Sequence, residues 1–378
     1  MKKIKSNSSI NNFISILKLI IFFFILIFFL SCSKNKSHTK INGRIPNLPD
    51  GMMYLCKGNN LNKIDSIETK DGKFEIKYNL NNEEPFYFTM HHIDKNNIFR
   101  VFSFSTNAKY NNSGYNSSLF MSDSIININD SLTENKPLGF DLNNKTKFVN
   151  IAKVSSGYQT NALFHTDGDL FDNINKSTYN KVLSKIKEYP NSFHLLYQIN
   201  DYRNSFSPIE TQKLINLFKG EIVNSKTYKN LKNYNDQRFN KKELIIPVLL
   251  NEEGKQTEIL DNKYKKHLVI FWASWCGPCR QEIPSLKKMY SKYKSNIEFV
   301  SISSDTKNSL WQNSLDKEQM PWKQLIVNEN SNEYKPIEII FQLSKSIPYI
   351  VLIDNNLKVS KSHVGLMNEI ELENFIKD

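Results

Sequence analysis

Three changes of pattern predict the fold class: an α/β C-terminal part with a central mixed β-sheet flanked by helices, preceded by an all-β, sandwich-like domain and a helical middle segment. Residues 39–156 carry short apolar runs between turn signals, the mark of strands. Residues 157–237 shift to apolar spacings of three and four, the period of helices. Over 238–378, strand-like runs alternate with helical stretches, as in a sheet with helices packed on it. At roughly 100 to 200 residues per domain the chain holds two or three, and its 39% apolar content can supply a core for each.

Residues 1–31 read as an export leader. Lys2, Lys3 and Lys5 make a positive start, and after Lys18 an unbroken apolar run covers Leu19 to Leu30. That length suits a signal-peptide core and falls short of the ~20 residues that span a bilayer. Ser31 directly before Cys32 resembles the bacterial lipobox, with Phe29 where that motif prefers Leu. The resemblance implies a lipoprotein with Cys32 as its lipidated first residue, anchored to a bacterial membrane and facing the periplasm. A conventional signal peptide and an uncleaved anchor are the alternatives, and both also put the bulk of the chain outside the cytoplasm. Residues 32–38 follow as a polar tether.

In the all-β part, the segments "INGRI", "MMYLCKG", "KIDSIET", "KFEIKYNL", "PFYFTMHH" and "FRVFSFS" read as strands, punctuated by Asp50-Gly51 and Asp71-Gly72. The Asn- and Ser-rich stretch from about 107 to 161 closes this domain with less definite strands. In the helical segment, Val182, Leu183 and Ile186 recur at helical spacing. Farther on, Ser207, Pro208 and Glu210 form an N-cap, a first helical position and a capping-box partner. Beyond it, "LIIPVLL", "HLVIFWA", "IEFVSISS", "KQLIV" and "YIVLID" supply the strands of the mixed sheet.

The chemistry concentrates in Phe271–Pro284, "FWASWCGPCRQEIP". A buried-strand run leads into an amphipathic helix, which puts Cys276 at the helix N-terminus. There unpaired backbone N–H groups and the positive end of the helix dipole favour thiolate over thiol. Cys279 lies one turn inward, close enough to close a disulfide with Cys276. Gly277 and Pro278 shape the tight loop between them. A zinc site would need about four ligands, yet the chain has four cysteines in all and no second C-x-x-C. A purely structural bridge across two residues would constrain the unfolded chain weakly. Thiol-disulfide exchange accounts for the spacing, the helix terminus and the leader together, so neither a metal nor a cofactor is expected.

"FWASWCGPCRQEIP" resembles the active site of the thioredoxin superfamily, specifically the extracytoplasmic TlpA and ResA type. The resemblance extends over the last ~140 residues, about one small domain, and takes in "IEFVSISSD", "MPWKQLIV" and "SIPYIVLID". It implies a cis-proline at Ile347-Pro348, across from the cysteines, whose backbone docks an extended substrate segment. It also implies that Glu282, three residues after Cys279, acts as the proton acceptor for Cys279, because Ile270 stands where cytoplasmic thioredoxin has a buried aspartate. A solvated first-turn Glu is the plainer alternative. Trp275 would shield the sulfurs and offer a contact face, while Trp272 packs in the core and Pro284 kinks the helix. Peroxiredoxins carry Pro and Thr where this chain has Val269 and Ala273.

Outside this stretch, Cys56 reads as a small buried hydrophobe, the adjacent His91 and His92 as a poor metal pair, and His194 as a packing residue. The net charge of +12 comes from scattered lysines with no basic stripe, so no nucleic acid is expected as partner. The chain therefore reads as a thiol-disulfide oxidoreductase of the cell envelope. Its expected partners are envelope protein disulfides as substrates, a membrane electron donor of thiol type, and the membrane itself through the lipid anchor. Apocytochromes in cytochrome c maturation are the substrates that the resemblance implies. The competing reading is a binding lipoprotein whose β domain captures a partner, with an auxiliary or oxidising redox module.

Overall fold

The computed structural model describes residues 38–58, 62–81, 83–135, 145–240 and 244–377. The leader and Cys32 lie outside the described residues. The chain divides into two compact units, one running to Thr106 with Asn116–Asn161, the other made of Asn107–Tyr115 and Ala162–Asp378.

The first unit is built on two sheets. One contains β1 (His38–Arg44), β4 (Lys73–Asn79), β9 (Ile125–Ile128) and β12 (Val154–Ser155), in the order β12-β9-β1-β4. The other is eight-stranded and runs β10-β11-β6-β5-β2-β3, from β2 (Gly51–Lys57), β3 (Lys63–Thr69), β5 (Tyr87–Asp94), β6 (Phe99–Tyr110), β10 (Thr133–Asn135) and β11 (Thr146–Ile151), with β7 (Ser113–Ser117) paired to β6 and β8 (Phe120–Met121) to β5. Strand alternation buries one face of β1 and β4, where Ile41 opposes Ile76. The sheets meet through aromatic edges, Tyr78 of β4 lying 5.9 Å from Phe88 of β5. Asp71 and Gly72 form the expected turn, both with positive φ (49° and 69°), but it hands the chain from one sheet to the other. Gly51 instead opens β2, where a Cβ would sit 2.2 Å from the Ile93 carbonyl oxygen. The Asn-rich stretch yields short strands, two of which pair in parallel: β9 with β1 and β11 with β6. Such long-range parallel pairing leaves no local mark in a sequence. Cys56 is free and buried, and burial pushes its thiol pKa up. His91 and His92 are buried as well, and no group of three or more His, Cys, Asp or Glu among the described residues could hold a metal ion.

In the second unit, α2 (Lys176–Glu188), α3 (Phe193–Asp201), α4 (Pro208–Ile215) and α5 (Lys226–Phe239) follow the short α1 (Tyr158–Phe164). Each of these four starts at a side-chain cap: Asn175, Ser192, Ser207 and Ser225. The Ser207 capping box is present as expected, Glu210 Oε2 accepting from Ser207 N at 2.8 Å. His194 is buried in α3, and burial drops its pKa to about 4.

The remainder is a seven-stranded mixed sheet, β14-β13-β17-β16-β15-β18-β19. Its strands are β13 (Val248–Asn251), β14 (Gln256–Glu258), β15 (Lys266–Trp272), β16 (Ile297–Ser303), β17 (Lys323–Ile326), β18 (Tyr349–Asp354) and β19 (Val359–Val364). β15, β16 and β17 are parallel, β18 pairs antiparallel with β15, and β19 pairs antiparallel with β18 at the sheet edge. "LIIPVLL" contributes only its end, since Pro247 carries no N–H for a ladder. β14 and β19 escaped the sequence reading because edge strands need no continuous apolar run. Successive β15 residues feed opposite faces. Leu268 and Ile270 pack with Leu286 and Met289 of α6 (Gly277–Tyr293) and with Leu372 and Ile376 of α9 (Glu369–Lys377). Val269 and Phe271 pack with Ile337 and Ile340 of α8 (Tyr334–Ile340). β15 is thus held on both faces, and its C-terminal end is fixed in place. Among the described residues, no helix is long and apolar enough to cross a membrane.

Candidate active site

At the end of β15 the chain turns sharply into α6. The Cys276 N–H donates to the Ala273 carbonyl at 3.0 Å, closing the turn. Ser274, inside it, is gripped by Asp305, which accepts from Ser274 N at 2.8 Å and Ser274 Oγ at 2.6 Å. Asp305 also accepts from Ser303 Oγ at 2.7 Å and is itself only 2% exposed. A buried carboxylate with three donors is a stiff brace, because each donor would be costly to strand. Asp305 follows directly on the residues that end β16, so the sequence placed it beside a predicted strand end but gave no sign of its partner.

Cys276 is the N-cap of α6, and its sulfur accepts from the Cys279 N–H at 3.2 Å. The two cysteines are joined by a disulfide, with Cα atoms 5.3 Å apart. Gly277 and Pro278 lie exposed over the bond, Pro278 in the first turn of the helix. Both sulfurs sit in an apolar cluster with Trp272, Ala273 and Trp311, against which Ile347 packs. Exposure does not tell the cysteines apart, at 4% for Cys276 and 3% for Cys279. What separates them is position, one at the helix end and the other a turn inside it. Trp275 is 70% exposed beside them, whereas Trp272 is buried. Pro284 lies inside α6.

Glu282 occupies the next turn of α6 on the Cys279 face, a spacing at which helical side chains are neighbours. It is 1% exposed, so the solvated first-turn alternative does not hold. Its Oε1 accepts from the Met367 N–H at 2.8 Å, while Oε2 has no hydrogen-bond partner. Burial raises its pKa to about 7, against the lowering effect of the Met367 hydrogen bond.

The Ile347-Pro348 peptide is cis. The Pro348 carbonyl accepts from Gly365 N at 2.8 Å, which ties the proline loop to the turn that carries Met367. The structure therefore gathers Cys276, Cys279, Trp275 and Ile347 around one surface and places Glu282 beneath it. Asp305 and Met367 were not legible as members of this group, since each reaches it from a distant part of the chain.

The thioredoxin-like family matches residues 263–359. These residues form a thioredoxin-like domain. A domain of unknown function, DUF4369, matches residues 39–163. The thiol-disulfide oxidoreductase ResA of Bacillus thuringiensis is 27% identical over 131 residues, 34% of this chain and 72% of that protein. The thioredoxin-like protein YneN of Bacillus subtilis is 28% identical, over 36% of this chain and 83% of its own length. Among solved structures, a putative thiol:disulfide interchange protein DsbE from Chlorobium tepidum is 28% identical over 34% of this chain and 89% of that chain, with a TM-score of 0.30. With relatives of this kind and a disulfide at the helix N-terminus, the thioredoxin-like domain is that of a thiol-disulfide oxidoreductase.

Proposed function

We propose that this protein is an extracytoplasmic, lipid-anchored thiol-disulfide oxidoreductase that reduces disulfides in envelope proteins, with apocytochromes in cytochrome c maturation as the substrate class. The observation that carries this reading is the Cys276–Cys279 disulfide at the N-cap of α6, one turn from a buried carboxyl that titrates near neutrality. The leader of residues 1–31, with Cys32 directly after it, supports the location and the anchor.

In the dithiol form, the Cys276 thiolate attacks one sulfur of a substrate disulfide. That bond breaks, its other sulfur leaves as a thiolate and takes up a proton, and a mixed disulfide remains on Cys276. Cys279 then gives its proton to Glu282 and attacks Cys276 Sγ. The mixed disulfide breaks, the second substrate sulfur leaves and is protonated, and the internal disulfide forms. Two electrons and two protons reach the substrate. A membrane donor of thiol type recharges the pair by the same exchange in reverse. Trp275, Gly277, Pro278, Ile347 and the Pro348 loop meet the substrate, with Ile347 supplying the backbone because the Pro348 carbonyl is already taken by Gly365.

Mixing the dithiol protein with a polypeptide that carries one disulfide, then counting alkylated thiols by mass, tests this reading. Two substrate thiols for each internal disulfide formed is the expected result. No transfer to a polypeptide that dithiothreitol readily reduces would overturn it.

A further inference from the structure

The helical segment lies outside the thioredoxin-like match, yet it grips the loop that leads to Pro348. Asn204, in the short 3-10 turn after α3, donates its Nδ2 to the Leu343 carbonyl at 2.9 Å. Tyr234 of α5 steadies Asn204 by donating its hydroxyl to Oδ1 at 2.9 Å. Lys345 pairs with Asp201. Arg203 pairs with Glu338 at the end of α8 and lays its guanidinium 4.5 Å from the Tyr234 ring centroid. This ion pair is mostly buried, its side chains 14% and 12% exposed.

A cavity of about 360 Å³ is lined both by Trp275 and Ile347 of the cysteine site and by Arg203 and Lys345 of that contact. Across the Leu343–Lys345 loop, a second cavity of about 350 Å³ continues toward Gln198, Asp201 and Tyr202 of the helical segment. The sulfurs are buried, with the exposed Trp275 beside them in the chain and Ile347 packed against their cluster. A chain running on from a disulfide held there enters the first cavity next.

We propose that the helical segment is one wall of the substrate groove, and that the groove takes the extended, polar polypeptide flanking a substrate disulfide. The proposal rests on the oxidoreductase reading. Three of the charged groups at this wall, Arg203, Lys345 and Glu338, are already paired within the protein. Beyond these the cavity offers the acidic Glu329, neutral polar groups such as Ser344 and Asn330, and peptide backbone, which suits a polar chain better than a free anion or an acyl chain. A small disulfide has no flanking chain and draws no benefit from the wall.

The test compares kcat/KM of the full protein for a synthetic polypeptide with one disulfide in polar flanks against hydroxyethyl disulfide. Asn204→Ala should lower the polypeptide-to-small-disulfide ratio about fivefold, the scale of one lost hydrogen bond. Lys345→Ala removes a half-exposed side chain, leaves folding intact and should move the ratio the same way. A ratio within twofold of wild type in both variants, or an equal fall on both substrates, would overturn the proposal. Failure of the wild type on both substrates would instead sink the oxidoreductase reading itself, so the two failures are distinguishable.

Discussion

The Met367 N–H donates to Glu282 Oε1 at 2.8 Å, from 85 residues further along the chain, and leaves Oε2 buried with no hydrogen-bond partner. One oxygen is fixed and the other is free to take a proton. Burial lifts the carboxyl pKa to about 7 against the lowering effect of that hydrogen bond, and the group lies one helical turn from Cys279.

Glu282→Gln keeps size and helix propensity but removes the acceptor. Mixed-disulfide formation should proceed as in wild type while its decay slows about tenfold near neutral pH, at the low end of what a positioned base supplies. Wild-type decay should accelerate as pH rises through about 7, where Glu282 ionises, and the variant should lack that step. Stopped-flow decay curves across pH read both effects.

The same group makes a stability prediction. Its folded pKa of about 7 lies above the ordinary glutamate value of 4.5, so between those values the folded state binds more protons than the unfolded one. Its contribution is complete below the lower value and is lost as pH rises through the upper. Over that window the wild type should lose roughly 3 kcal/mol relative to Glu282→Gln. Denaturant unfolding of the disulfide form across pH measures the difference, and parallel pH profiles for the two proteins would contradict it.

Asp305→Ala should destabilise the protein by about 2 to 4 kcal/mol, because it strands Ser303 Oγ in the interior and Ser274 N and Ser274 Oγ in a half-buried turn. Ser303→Ala should cost only about 1 kcal/mol. Equal and small losses in denaturant melts would mean that the brace is not rigid.

Trp275→Ala should leave stability within about 0.5 kcal/mol, since the side chain is 70% exposed. KM for polypeptide disulfides should rise about fivefold if this ring is a contact face. Trp272→Ala, at 2% exposure, should instead cost about 3 to 5 kcal/mol.

Much of the candidate site was legible because its parts are local. A strand run, a C-x-x-C pair and a helix place Cys276 and Cys279 by spacing, Trp275 belongs to the same turn, and the family resemblance adds Glu282. What escaped was everything that arrives from elsewhere: Asp305 from the end of β16, Met367 from beyond β19, and the Asn204 contact to Leu343 across 139 residues. Local patterns report period and capping, and they carry no record of which distant backbone group a carboxylate meets. The polar edge strand β19 and the parallel pairings β1–β9 and β6–β11 were missed for the same reason.

The central claim is that Cys276 attacks and Cys279 resolves, and trapping measures it most directly. Cys276→Ser and Cys279→Ser variants are each incubated with a polypeptide disulfide, quenched with acid and analysed by mass for covalent adducts. A mixed disulfide should accumulate on Cys279→Ser, and none on Cys276→Ser. Adducts on Cys276→Ser alone, through Cys279, would contradict it.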